Sequence, residues 1–223
     1  MRQYKHPTPY TISPTLLPIS VDSSLDWVVI LHGLFATRRS MRKLELHLQA
    51  AGYEVLNWGY PTFLRTTKHH IQRLVPLLEN LEKDASVRSI NFVTHSMGGI
   101  LVRYALHVAR LTKVKRVVML APPNRGSHLT RISMGPFAWC VPAIGDLKKD
   151  PDSLPNRLAV PHQVEFGVIA SSRDYVVRIA DTFLPNQKDH CIVPTSHFKL
   201  PQHEAALSKV HFFLKTGKFS AAA

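Results

Sequence analysis

The most specific chemical signal in this chain is Thr94-His95-Ser96-Met97-Gly98-Gly99. It follows an apolar run, Ser89–Val93, and opens a helical pattern, so Ser96 stands at a strand-to-helix turn. Such a turn strains the serine backbone and exposes its hydroxyl, and small neighbours are needed because strand and helix approach closely. Gly98 and Gly99 meet that demand, and Thr94 is bulkier than the position favours. An exposed hydroxyl becomes a nucleophile when a base takes its proton and amide N–H groups stabilise the resulting oxyanion. The plainer alternative is a serine capping a buried helix.

The segment resembles the nucleophile elbow of α/β-hydrolases, whose lipase and esterase members carry many His-Ser-Met-Gly-Gly turns. Leu31-His32-Gly33-Leu34-Phe35, after the apolar run Trp27–Leu31, is similar to the family's His-Gly oxyanion signature. That likeness implies an oxyanion hole built from the Leu34 and Met97 amides, with a simple strand-to-loop turn as the alternative. Arg173-Asp174-Tyr175-Val176-Val177 resembles the Asp-Gly-x-Val acid loop of small bacterial lipase-like members, with Tyr175 where glycine is usual. The stretch from Lys188 to His197 resembles their histidine segment, and Leu120 to Ser127 their Pro-Pro-Asn-x-Gly-Ser stretch. The likeness covers essentially Leu25 to Gly217. It implies catalysis by Ser96, Asp174 and His197, with no metal and no cofactor.

Position must choose the base, because the chain has 13 histidines. In this family the order is serine, acid, histidine, and ligand sites of such sheets lie beyond the carboxyl ends of the strands. Asp174 follows the strand-like run Val164–Ser171, and His197 follows His190–Thr195. Asp189-His190 precedes its strand, on the opposite edge from Ser96. His203, at the start of the last helical pattern, is the better rival to His197.

The elements that must carry these residues alternate. Trp27–Leu31, Tyr53–Trp58, Ser89–Val93, Val114–Leu120, Val164–Ser171 and His190–Thr195 read as strands. Between them, Met41, Leu44 and Leu48, then Ile71, Leu74, Val75, Leu78 and Leu81, recur at helical spacing, the second pattern interrupted by Pro76. Met97–Leu111 reads as a helix with Arg103, His107 and Arg110 on its solvated face, and Ala206 to Leu214 as a closing helix. This alternation predicts an α/β fold, a mostly parallel sheet with helices on both faces. Residues 1–24 read as an extended lead-in and 25–217 as a single α/β-hydrolase domain. Residues 121–161, with seven prolines, form a cap-like insertion, and 218–223 are a tail.

Composition bounds what remains. With 223 residues and 45% hydrophobic content the chain can bury a sizeable core, and no apolar run approaches the ~18–20 residues of a transmembrane helix. Cys140 and Cys191 are too few for a disulfide framework or a zinc site. Two reduced thiols predict a cytoplasmic protein. A net charge of +13 directs attention to anionic partners. Nucleic acid is disfavoured, because no zinc-finger spacing or RNA-recognition signature accompanies the charge. Arg38, Arg39, Arg42 and Lys43 sit at a helix N-terminus, against the local dipole. They hint at anionic headgroups and a peripheral contact with an anionic membrane, at its inner face.

The expected substrate is a small-molecule or lipid ester. Phe35, Trp58, Phe137 and Trp139 are candidate walls of its pocket, together with the other apolar residues of the insertion, which can equally well pack it onto the body. Thioester, amide and acyl-transfer chemistry use the same three residues. A non-catalytic basic binding protein on this fold is the reading of a different class.

Overall fold

The structure, a computed structural model, describes residues 25–127 and 141–220. The expected lead-in and the residues Phe137, Trp139 and Cys140 lie outside the described residues. Six strands form one sheet: β1 (Leu25–Leu31), β2 (Glu54–Trp58), β3 (Val87–His95), β4 (Val114–Leu120), β5 (Glu165–Arg173) and β6 (Asp189–Ser196). Their order is β2-β1-β3-β4-β5-β6, with every pairing parallel. Each expected strand is present, and β3 sits near the middle of the sheet.

The continuous apolar runs follow from burial on both faces. Alternation sends Val29, Leu31, Ile90, Phe92, Val117, Met119, Phe166 and Val168 to one core. There they meet Ile71, Leu74 and Leu78 of α2 (Thr67–Lys83) and Ile100 and Leu101 of α3 (Met97–Val108). The intervening residues Val28, Ile30, Val93, Val118, Ile169 and Val193 face the other core. It is closed by Met41, Leu44 and Leu48 around α1 (Arg42–Ala50) and by Leu207, Val210 and Phe213 of the last helix (Glu204–Thr216). Among the described residues no helix is long and apolar enough to cross a membrane.

Two local expectations are corrected. Pro76 does not interrupt α2, which runs unbroken to Lys83. Pro76 and Gln72 are both exposed, so the helix tolerates the hydrogen bond that proline cannot donate to the Gln72 carbonyl on its solvent side. Arg103, expected on a solvated face, is buried with 2% exposure. The segment around α5 (Leu154–Arg157) folds over it, and its Nη2 donates to the Leu158 carbonyl at 2.6 Å.

The described part of residues 121–161 also holds α4 (Ala143–Asp146). Ala143, Leu147 and Leu158 join the core beneath α2 and α3. The Thr67 hydroxyl donates to Asp146 Oδ2 at 2.6 Å and the Ser127 N–H to the Leu147 carbonyl at 3.0 Å. These residues are fastened to the body of the protein. Among the described residues there are also α6 (Ile179–Thr182) and 3-10 turns at Arg38–Met41 and His197–Gln202, so the last helix is α7.

Candidate active site

Ser96 joins the carboxyl end of β3 to the first turn of α3 with φ 52° and ψ −121°. For a residue with a Cβ this backbone costs about 1–3 kcal/mol and persists only where its surroundings impose it. The Ser96 N–H donates to the Leu120 carbonyl at 2.8 Å, and its carbonyl accepts from Gly99 at 3.0 Å. The hydroxyl makes no capping bond to α3, which disfavours the helix-cap alternative.

Close approach explains the glycines. A Cβ on Gly98 would lie 2.8 Å from the carbonyl oxygens of Leu31 and His32, and one on Gly33 2.9 Å from the Ser96 Cβ. The loop after β1 and the start of α3 are therefore in direct contact, and the loop passes beside the serine. Thr94 fits for a related reason. A Cβ on Gly99 would come 2.5 Å from Met119 Cε and 3.2 Å from the Thr94 hydroxyl, so the missing side chain at Gly99 leaves room for both.

Asp174 follows β5 immediately, and His197 follows β6. His197 Nδ1 donates to Asp174 Oδ2 at 2.7 Å, and both side chains are buried, at 4% and 2% exposure. Asp174 Oδ1 accepts from the N–H groups of Val176 at 2.7 Å and Val177 at 2.8 Å. Both carboxylate oxygens thus have donors. Tyr175 is compatible with this loop because its backbone does not enter the left-handed region and its side chain is exposed.

Ser96, Asp174 and His197 therefore stand at the carboxyl ends of β3, β5 and β6. The link between the serine and the histidine is His95, whose ring lies 4.7 Å from that of His197. Its Nε2 donates to the His197 carbonyl at 3.1 Å. Burial holds its pKa well below the usual histidine value, with the neighbouring His197 adding to the effect, so it stays neutral. The sequence displayed His95 beside the serine, but nothing in its spacing announced a contact with a residue 102 positions away.

The loop after β1 is clamped from beneath. His32 is fully buried, its Nδ1 donates to the Gly33 carbonyl at 2.9 Å, and its Nε2 accepts from the Tyr60 N–H at 3.3 Å. The Tyr60 ring stacks on His32 at 4.2 Å, and its hydroxyl donates to the His32 carbonyl. Trp58 stacks on Tyr60 in turn at 5.0 Å and is 8% exposed. His70 packs 4.9 Å from Tyr60, and burial pushes its pKa down to about 4.

Phe35 is half-exposed on the same loop, with its ring 5.6 Å from that of Phe63. Leu34 is half-buried against the core beneath α2 and α3. Met97 is the first residue of α3, where an N–H has no carbonyl partner within the helix. The rivals stand elsewhere. Asp189 opens β6 at the opposite sheet end, where its carboxylate accepts from the N–H groups of His190 and Phe219. His203 precedes α7. Among the described residues no cluster of three His, Cys, Asp or Glu could hold a metal ion.

Comparison with known proteins bears on the fold. A family model described as the alpha/beta hydrolase fold matches residues 26–172. No curated protein matches the chain. The lipase BlEst2 of Bacillus licheniformis, in its propeptide form, superposes with a TM-score of 0.67 at 17% identity over 90% of this chain and 51% of its own. The phospholipase PlaB of Legionella pneumophila gives 0.60 at 17%, over 71% and 44%. A metagenomic carboxyl esterase, MGS0156, gives 0.60 at 19%, over 89% and 71%. The chain spans about half the length of the first two. Since the family model takes in more than half of the chain, from β1 into β5, and the parallel sheet follows the same plan, this protein belongs to the α/β hydrolase family.

Proposed function

We propose that this protein is a serine hydrolase that cleaves carboxylic esters through an acyl-enzyme on Ser96. The carrying observation is a strained serine at the same sheet end as a buried His197–Asp174 pair 2.7 Å apart. With Nδ1–H held by Asp174, His197 presents Nε2 without a proton and takes the one on Ser96 as the oxygen attacks the ester carbonyl. The Leu34 and Met97 amides receive the oxyanion. His197 then protonates the departing alkoxide, and water attacks the acyl-enzyme by the same path to release the acid. Asp174 holds the ring throughout, itself oriented by its two backbone donors. A fluorophosphonate probe should phosphonylate the wild-type protein on the Ser96-containing peptide, read by mass spectrometry. Absence of label, or label on another serine, removes this reading. Thioester, amide and acyl-transfer variants of the reaction share the intermediate, and a series of acyl esters, thioesters and amides ranks them.

A lipid or membrane-borne ester is favoured by the surface around the site. Phe35, Phe63, Leu64, Tyr175 and Phe198 are large apolar residues at least half exposed, on loops beyond the carboxyl ends of the strands. Exposed Arg38 and Arg39 follow Phe35 closely in the chain, while Arg42 and Lys43 pair with Glu45 at 3.0 Å and Glu204 at 2.5 Å. Aromatic side chains bordered by arginine suit an anionic lipid surface. Co-sedimentation should be stronger with phosphatidylglycerol-containing vesicles than with pure phosphatidylcholine. Equal binding to both removes the membrane contact.

A further inference from the structure

The ester reaction leaves Arg103 without a role. It lies on α3 seven residues beyond Ser96, about 10 Å along the helix. Its side chain is buried, and its two hydrogen-bond acceptors are neutral: Asn124 Oδ1, 3.3 Å from Nη1, and the Leu158 carbonyl, 2.6 Å from Nη2. Nε has no partner among the described residues. Burial alone lowers the pKa to about 10, with no neighbouring carboxylate acting to restore it. A buried charge that faces only neutral groups is costly, and proteins ordinarily pair it.

Arg103 also lines a cavity of about 340 Å³. Exposed Arg125 and His162 add polar groups to its wall, Leu158, Val160 and Phe183 supply apolar surface, and among the described residues no acidic one lines it. We infer that this cavity binds a small oxyanion, a carboxylate or phosphate group carried on a short organic ligand, with Arg103 as its counter-ion. A guanidinium has five N–H donors in a planar fork suited to such groups, and among the described residues two of them have protein acceptors. Arg125 supplies a second positive charge, and the apolar wall takes the carbon part of the ligand. The volume falls at the lower end of the range for small-molecule sites. The site stands apart from Ser96 and does not depend on the ester reaction.

Thermal unfolding at constant ionic strength tests it, with inorganic phosphate or sodium butyrate replacing part of the sodium chloride. One of the two anions should raise the wild-type Tm saturably, by about 3–6 °C at ten times its apparent Kd. The stronger anion distinguishes a phosphate from a carboxylate ligand. The rise should vanish in Arg103→Met, whose Tm in chloride alone should not fall far, because an uncompensated charge has been removed. In Arg125→Ala the apparent Kd should rise about tenfold. Arg125 is exposed, so that variant decides the matter if Arg103→Met does not fold. A wild-type Tm that neither anion moves beyond chloride overturns the site. An equal rise in wild type and variants also overturns it, by assigning the anions to the basic surface.

Discussion

Ser96→Ala should lower the turnover of an activated ester by roughly a million-fold while shifting Tm by no more than about 2 °C. On the proposed mechanism the kinetic loss is large because no acyl-enzyme forms without the hydroxyl, and His197 and Asp174 have nothing to act on. The small thermal effect follows from the geometry. The strain at this position resides in its φ of 52°, which alanine inherits, and the hydroxyl makes no bond to the helix it precedes. Circular dichroism melting beside a p-nitrophenyl ester assay reads both quantities. Turnover within tenfold of wild type would exclude Ser96 as the nucleophile, and a collapse in Tm would mean that the hydroxyl stabilises the fold.

Asp174→Asn should cost about 10⁴-fold in kcat with the loop geometry retained. Two backbone N–H groups, from Val176 and Val177, point at Oδ1. An amide NH₂ cannot face them, so asparagine must place its carbonyl oxygen there. Its NH₂ then turns towards His197 Nδ1, which must become the acceptor. The ring proton moves to Nε2, the nitrogen needed to receive the Ser96 proton, and the base is disabled by its tautomer while every heavy atom stays in place. Rescue at high pH should be slight, because raising pH does not remove the Nε2 proton of a neutral ring. An Asp174→Asn enzyme with near-normal kcat would show that the carboxylate is not oriented as its hydrogen bonds indicate.

The central strands β1, β3, β4 and β5 were legible because they are buried on both faces for most of their length and therefore read as apolar runs between helical patterns. The turn at Ser96 was legible for a local reason too, since two glycines next to a serine after such a run leave few other meanings. Topology then sent Asp174 and His197 to the same sheet end, because both follow parallel strands. The rest depends on contacts between residues far apart in sequence. Arg103 looked solvated by helical period, and only the return of the chain at Leu158, 55 positions later, buries it. His32 and Tyr60 stack across 28 positions, and no periodicity in either segment encodes that pairing.

The strand order has a consequence for the growing chain on the ribosome. β3 and the Ser96 turn are synthesised before β6, which His197 follows and which, among the described residues, lies at the edge of the sheet and pairs only with β5. A nascent chain can therefore assemble five strands around a serine that has no base. On the proposed mechanism its hydroxyl stays inert until the segment carrying β6 emerges and docks. Docking of β6 is then the event that arms the proposed nucleophile.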